Sequence, residues 1–277
     1  VHLSDQLALF PLLHVRDAGT QIAYRRAQPA AGASMTPIVL LHGIGSASAS
    51  WLRQLQHCGR LRTVLAWNAP GYSESSALPM ALPCANDYAR SMWLWLDALG
   101  VGQVTLVGHS LGALMAAAAT RSAAERVRQL LLLAPALGYA AATPEVRATK
   151  LNDRLRSLET LGPQGIADKR GAAMLSGNAA PEQVEFIKTV MAQIEPHGYA
   201  QAAHMLSGGN LAADLAAITC PITVASGHAD TITPPAGCQL AAKAARTPWI
   251  DLGAVGHACP LEAAEMVNRL IENAAHA

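Results

Sequence analysis

The sequence predicts an α/β fold on an open, mostly parallel sheet, and three observations predict it. Short continuous apolar runs recur, at Ile38–Leu41, residues 104–107, 128–134 and 221–226, of the kind buried on both faces of a sheet. Up to Pro135 these runs alternate strictly with helical patterns, the signature of right-handed strand–helix–strand crossovers. Finally, Val104-Thr-Leu-Val-Gly-His-Ser-Leu-Gly112 reads as strand, sharp turn and helix start, with Ser110 at the apex. The Gly108-x-Ser110-x-Gly112 spacing has a steric cause. A serine on so tight a turn is strained, and its flanking positions must lack a Cβ where strand and helix crowd together.

Composition narrows the class. Hydrophobic residues make up 51% of the 277 and charged residues 14%, so a sizeable core is expected and disorder is not. The net charge of +1 and the absence of a basic block argue against nucleic acid. No apolar stretch approaches bilayer length, and no signal-peptide pattern is visible at the N-terminus. Five scattered cysteines, Cys58, Cys84, Cys220, Cys238 and Cys259, show no metal-ligand spacing and read as buried thiols of a reducing compartment. A cytoplasmic location is expected.

Taken in order, residues 12–27 predict two short strands joined at Asp17-Ala-Gly19. Residues 28–37 read as a surface loop before the strand Ile38–Leu41, which ends in His42-Gly-Ile-Gly45. Serines at 46–50 predict the start of a helix running through Trp51 and Leu55 to Cys58. A strand at 63–66 leads into the turn-rich Trp67-Asn-Ala-Pro-Gly-Tyr-Ser-Glu-Ser75. A helix fits 83–99, with Met92, Trp93, Leu96 and Leu99 on one face. The serine turn, its alanine-rich helix and the strand at 128–134 follow. Alternation then breaks: residues 136–206 carry helical periodicity at 146–161, near Ala172 and at 181–194, with no strand. Crossovers seldom need some seventy residues, so this segment is expected to be a helical cap over the carboxyl edge of the sheet. The core domain is then residues 1–135 and 207–277. The sheet pattern resumes at 221–226, ending in Gly227-His-Ala-Asp230. A helix from Pro234-Pro235 to Ala245, a last strand at 248–252 ending in Gly253-Ala-Val-Gly-His257, and a helix over 261–274 complete the chain.

Three residues follow the carboxyl ends of separate parallel strands, where ligands of open α/β folds bind: Ser110, Asp230 and His257. A serine hydroxyl needs a base, and the base needs an orienting group; the order Ser, Asp, His is one of those known for this triad. Asp230 also suits a helix cap, and His257 a satisfied buried histidine. Acyl transfer further needs backbone N–H groups facing the developing oxyanion. Leu111 offers one at the helix start, and Ile44, in the small-residue loop after Leu41, the other. Gly43 and His109 beside these donors, with Met174 and Met205 in the cap, are the candidate substrate contacts.

Over nearly its whole length the chain resembles the α/β-hydrolase superfamily. His42-Gly-Ile-Gly45, the 67–75 loop, Gly108-His-Ser-Leu-Gly112, Gly227-His-Ala-Asp230 and Gly256-His257 fall in that family's order. The resemblance implies an eight-stranded sheet, a cap between strands six and seven, and a Ser110–His257–Asp230 triad with no cofactor and no metal. Gly198-Tyr-Ala200 is similar to 3-oxoadipate enol-lactonases and related small-molecule hydrolases. Asn68 departs from the family, whose members usually carry Asp there. A serine nucleophile speaks against dehalogenase or epoxide hydrolase chemistry, which in this fold uses aspartate. An ester or lactone is therefore the expected substrate of a monomer or homodimer. Two alternatives stand beside it. One is a carbon–carbon bond hydrolase of a ring-cleavage product, which would draw on Arg154 or Arg170 although Ala258, not Trp, follows His257. The other is a hydrolase-like ligand receptor or scaffold. Peptidase relatives would need a cap acid such as Glu145, Asp153 or Glu159.

Overall fold

The computed structural model describes residues 2–17, 19–30 and 35–276; Ala18 of the expected first turn and residues 31–34 of the expected loop lie outside them. Eight strands form one sheet: β1 (Leu12–Asp17), β2 (Thr20–Ala27), β3 (Ile38–Leu41), β4 (Val64–Trp67), β5 (Val104–His109), β6 (Val127–Leu133), β7 (Ile222–Ser226) and β8 (Trp249–Asp251). Their spatial order is β1-β2-β4-β3-β5-β6-β7-β8. The β1–β2 and β2–β4 pairs are antiparallel and every other pair is parallel. The eight-stranded, mostly parallel α/β sheet expected from the sequence is what the chain forms.

The apolar runs make central strands because side chains alternate between two covered faces. In β3, Val39 and Leu41 join one core cluster and Ile38 and Leu40 the other; in β6, Leu130 and Leu132 oppose Leu131 and Leu133 in the same way. The first face is covered by α3 (Ala85–Ala98) and α4 (Gly112–Ser122). The second is covered by α2 (Leu52–Cys58) and the C-terminal helix, Ala264–His276, through Leu55, Val267 and Ile271. Alanines 113 and 116–119 of α4 are at most 1% exposed. A helix so poor in side-chain bulk lies close against the sheet, which explains its alanine bias.

Local boundaries differ from the sequence reading in three places. The chain enters α2 through a 3₁₀ turn at Ser48–Trp51. The expected last helix is broken at Ala263 into Cys259–Glu262 and Ala264–His276. A short helix α1 (Leu3–Leu7) precedes β1 without a sequence signal of its own, and its Leu3 packs into a small cluster with Leu52, Phe186 and Leu261.

Between β6 and β7 the main elements are helices: α5 (Pro144–Arg170), α6 (Pro181–Met191), α7 (Pro196–Gly208) and α8 (Leu211–Ala216). The helical pattern expected over 146–161 ends at a break in α5. Gly162 has φ 64° and ψ −179°, a region essentially restricted to glycine, and Pro163 restarts the helix at a first-turn position where its missing N–H costs nothing. Helices α7 and α8 were not legible. Gln201, Ala202, Ala203, Met205 and Leu206 of α7 are all buried, so no polar stripe marks its period.

The turn after β5 sets the tightest steric condition. A Cβ on Gly112 would stand 2.2 Å from the Leu41 carbonyl oxygen, and one on Gly108 2.6 Å from the Gly112 carbonyl oxygen. Both neighbours are backbone and cannot step aside. Gly112→Ala is therefore expected to lose about 1–3 kcal/mol or more of stability, readable as a lowered urea midpoint. A midpoint unchanged from the parent would show that the strand–helix contact is looser than described.

Candidate active site

Ser110 occupies the turn with φ 53°, a left-handed conformation uncommon for a residue with a Cβ. Three backbone bonds hold it there. Its N–H donates to the Leu133 carbonyl at 3.0 Å, and its own carbonyl accepts from the N–H groups of Ala113 and Ala136, each at 3.1 Å. The loop after β3 approaches from the other side: a Cβ built on Gly43 would lie 3.0 Å from Ser110 Cβ and 3.4 Å from its Oγ. Among the described residues, the N–H groups of Ile44 and Leu111 have no hydrogen-bond partner in the protein, and both residues line the same cavity as Ser110.

Asp230 and His257, 27 residues apart, meet at the ends of β7 and β8. His257 Nδ1 donates to Asp230 Oδ2 at 2.8 Å, with both side chains at most 1% exposed. The other carboxylate oxygen accepts from the N–H groups of Ile232 and Thr233 at 2.8 and 3.0 Å. Those bonds shape a local turn and leave the helix Pro235–Ala244 to begin later, after Pro234. Asp230 is thus not its cap. Burial pushes the Asp230 carboxyl up, but the bonds and charge from His257 and the donors of Thr233 outweigh it, and its pKa lies below the ordinary value. Thr233, which the sequence reading missed, sits 2.8 Å from Asp230 Oδ2, 3.1 Å from His257 Nδ1 and 3.0 Å from the Ala134 carbonyl oxygen. Only its place three residues after Asp230 hinted at it.

Two further histidines are buried and neutral. His109 Nε2 donates to the His257 carbonyl at 2.8 Å, and the two rings lie 4.8 Å apart between centroids. Burial first, and then repulsion from His257, lowers the pKa of His109 to about 3. His42 Nε2 accepts from the Ala69 N–H at 3.0 Å, which leaves its Nδ1–H to donate to the Gly43 carbonyl at 2.8 Å. Burial lowers its pKa to about 4. His42 thereby ties the glycine loop to the loop after β4. In that second loop Asn68 Oδ1 accepts from the Ser48 N–H at 2.7 Å, so the departure from Asp keeps an acceptor at this position.

Ser110, His257 and the loop face a cavity of about 280 Å³. Its far wall comes from the helices between β6 and β7, through Arg154, Ile166, Arg170, Met174, Ile187 and Tyr199. Gly43, His109 and Met174, the other candidate substrate contacts, lie on its lining. Met205 does not: it is 1% exposed and packed in the main core with Leu114 and Leu206, because it lies on the inward side of α7. The acids named for a peptidase, Glu145, Asp153 and Glu159, are not on the lining either. His228 pairs with Asp251 at the surface, and Asp214 with Arg121. Among the described residues, no group of three or more His, Cys, Asp or Glu side chains is gathered for a metal ion, and no helix is long and apolar enough to cross a membrane.

Residues 36–258 match the family model described as the alpha/beta hydrolase fold. The human (lyso)-N-acylphosphatidylethanolamine lipase is 30% identical over 103 residues, 36% of this chain and 30% of that protein. The chain thus spans under a third of the length of the curated relatives it matches. Two solved structures superpose over almost the whole chain. The enol-lactonase of Burkholderia xenovorans LB400 does so with a TM-score of 0.84 at 21% identity, covering 95% of this chain and 99% of that one. An esterase of Thermogutta terrifontis gives 0.82 at 22% identity, covering 95% and 97%. At such identities the likeness is one of fold.

The buried histidines make stability depend on pH. Unfolded, His42 and His109 titrate near the ordinary 6.5; folded, they do so near 4 and 3. Below the unfolded value the unfolded chain binds protons that the native one refuses, so stability is full above about pH 6.5 and falls as pH drops toward about 4. Urea unfolding across that window should show the decline. It should be shallower in His109→Gln, whose amide still donates to the His257 carbonyl but cannot titrate. A flat profile would contradict the burial of these rings.

Proposed function

Because the chain belongs to the α/β-hydrolase fold family, we propose that it is a serine hydrolase cleaving a small carboxylic ester or lactone, with residues 136–206 as a cap over a core of residues 1–135 and 207–277. The observation that carries this reading is the buried His257–Asp230 pair, 2.8 Å apart, on the same cavity as a serine held on a strained turn. With Nδ1–H committed to Asp230, the neutral imidazole keeps its lone pair on Nε2, the atom a general base needs.

The chemistry follows from that tautomer. His257 Nε2 takes the Ser110 proton as Oγ attacks the substrate carbonyl, and Asp230 stabilises the imidazolium that forms. The carbonyl oxygen becomes an oxyanion between the N–H groups of Ile44 and Leu111, which have no competing partner in the protein. Preorganised donors of this kind contribute about 3–4 kcal/mol each to an acyl-transfer transition state. The imidazolium then protonates the leaving alcohol, and water attacks the acyl-enzyme by the reverse path. Tyr72 supports the loop by donating its hydroxyl to the Ile44 carbonyl at 2.9 Å. The esterase and enol-lactonase that share the fold lend support to the ester or lactone as the bond cleaved.

A fluorophosphonate is expected to add covalently to Ser110, and Ser110→Ala to abolish both labelling and turnover of p-nitrophenyl esters. Wild-type turnover in that variant would end the serine reading. In Asp230→Asn, the amide places a donor against His257 Nδ1–H and favours the other tautomer, so kcat should fall by roughly 10³ or more while the melting temperature moves little. Unimpaired kcat would remove Asp230 from the reaction. Met174→Trp fills the cavity from the cap side and should shift preference toward shorter acyl groups; an unchanged acyl-chain profile would place substrate elsewhere.

A further inference from the structure

The walls of the catalytic cavity are mostly apolar, and their charges are one-sided. Arg154 and Arg170 line it, with no Asp, Glu or Lys on the lining. Both arginines are half-buried, and among the described residues neither guanidinium has a hydrogen bond or an ion pair with the protein. Long cationic side chains at such depth ordinarily find a carboxylate or reach fully into water. These two share one helix, α5, but sit on opposite sides of its break at Gly162. The break bends the helix so that both segments contribute to one lining.

A second feature belongs to the same wall. Tyr199, on α7, is 2% exposed and lines the cavity, yet its hydroxyl has no hydrogen-bond partner among the described residues. Unlike the Tyr88 hydroxyl, which is buried without a partner, that of Tyr199 is open to the cavity and available to donate there. Helix α7 packs on α5, and Arg154 and Tyr199 line the same cavity. Arg154 and Tyr199 thus face one cavity from packed helices, and Arg154 also acts electrostatically on Tyr72, the tyrosine that donates to the Ile44 carbonyl.

Resting on the serine-hydrolase reading, we propose that this corner is an anion subsite and that the substrate is an ester or lactone bearing a free carboxylate, held by Arg154 and Tyr199 with Arg170 as the second cation. The guanidinium fork matches the two in-plane oxygens of a carboxylate, and the phenol supplies one more donor. A phosphate monoester is the weaker fit. Its charge is larger, and the cost of desolvating an ion in an apolar cavity rises steeply with charge.

The test compares methyl hydrogen glutarate with methyl valerate, which differ in the terminal carboxylate. The wild type is expected to prefer the hemiester in kcat/KM, with the preference shrinking as salt is added. Arg154→Met should lower kcat/KM for the hemiester by ~10–100-fold, mainly through KM, and change methyl valerate by under about threefold. Arg154→Lys should restore part of the loss, Tyr199→Phe should lose several-fold, and Arg170→Met should lie between. Glutarate should inhibit competitively, and better than glycerol 3-phosphate. A wild type that favours the neutral ester, an Arg154→Met variant that loses both substrates equally, or stronger inhibition by the phosphate would each overturn the carboxylate assignment. Fluorophosphonate labelling of Ser110 reports separately on the serine reading. Should labelling fail, glutarate titrated calorimetrically into the protein and into Arg154→Met still decides whether the anion subsite exists.

Discussion

The constraint on which the rest of the molecule depends is steric: one serine must stand in a left-handed conformation between a buried strand and a helix. Everything nearby accommodates it. Gly108 and Gly112 lack the Cβ atoms that would strike backbone carbonyls at 2.6 and 2.2 Å. The alanines of α4 let the helix lie flat on the sheet, and the N–H of Leu111 at its start stays unpartnered beside the serine. Backbone strain of this sort costs about 1–3 kcal/mol and persists only where neighbours over-determine it. Here three backbone hydrogen bonds from β6, α4 and the loop after β6 do so.

Around the turn the protein has buried a set of polar groups and satisfied them in a fixed direction. His109 holds the backbone carbonyl of His257, Asp230 holds its ring, Thr233 closes the arrangement against the Ala134 carbonyl, and His42 ties down Gly43. Every one of these bonds settles a tautomer or an orientation, so little must reorganise when charge develops. Burial does double duty. It keeps His42 and His109 neutral, and it makes each remaining donor count for more.

The helices between β6 and β7 complete the cavity by a different logic. They contribute apolar side chains, two cations without acids and one buried phenol, and little of this follows a periodic pattern. Gly162 is the pivot: a backbone conformation open to glycine alone lets one long helical stretch face the cavity from two segments.

The sequence by itself determined the sheet, its parallel core, the serine turn and the positions of Ser110, Asp230 and His257. Their signals are local: a run of buried residues, a glycine where a Cβ cannot fit, a polar residue just past a strand end. The helical periodicity it showed over 146–161 ends where Gly162 breaks the helix. Only the tertiary structure decided that Thr233 and His109 belong with His257, that Tyr199 and Arg154 share a wall, and that Met205 turns into the core. Those facts depend on how α5 and α7 lie on one another and on the sheet. Such packing is set by many small contacts between residues distant in the chain, and an alanine-rich helix buried on several sides leaves no stripe from which its orientation can be read.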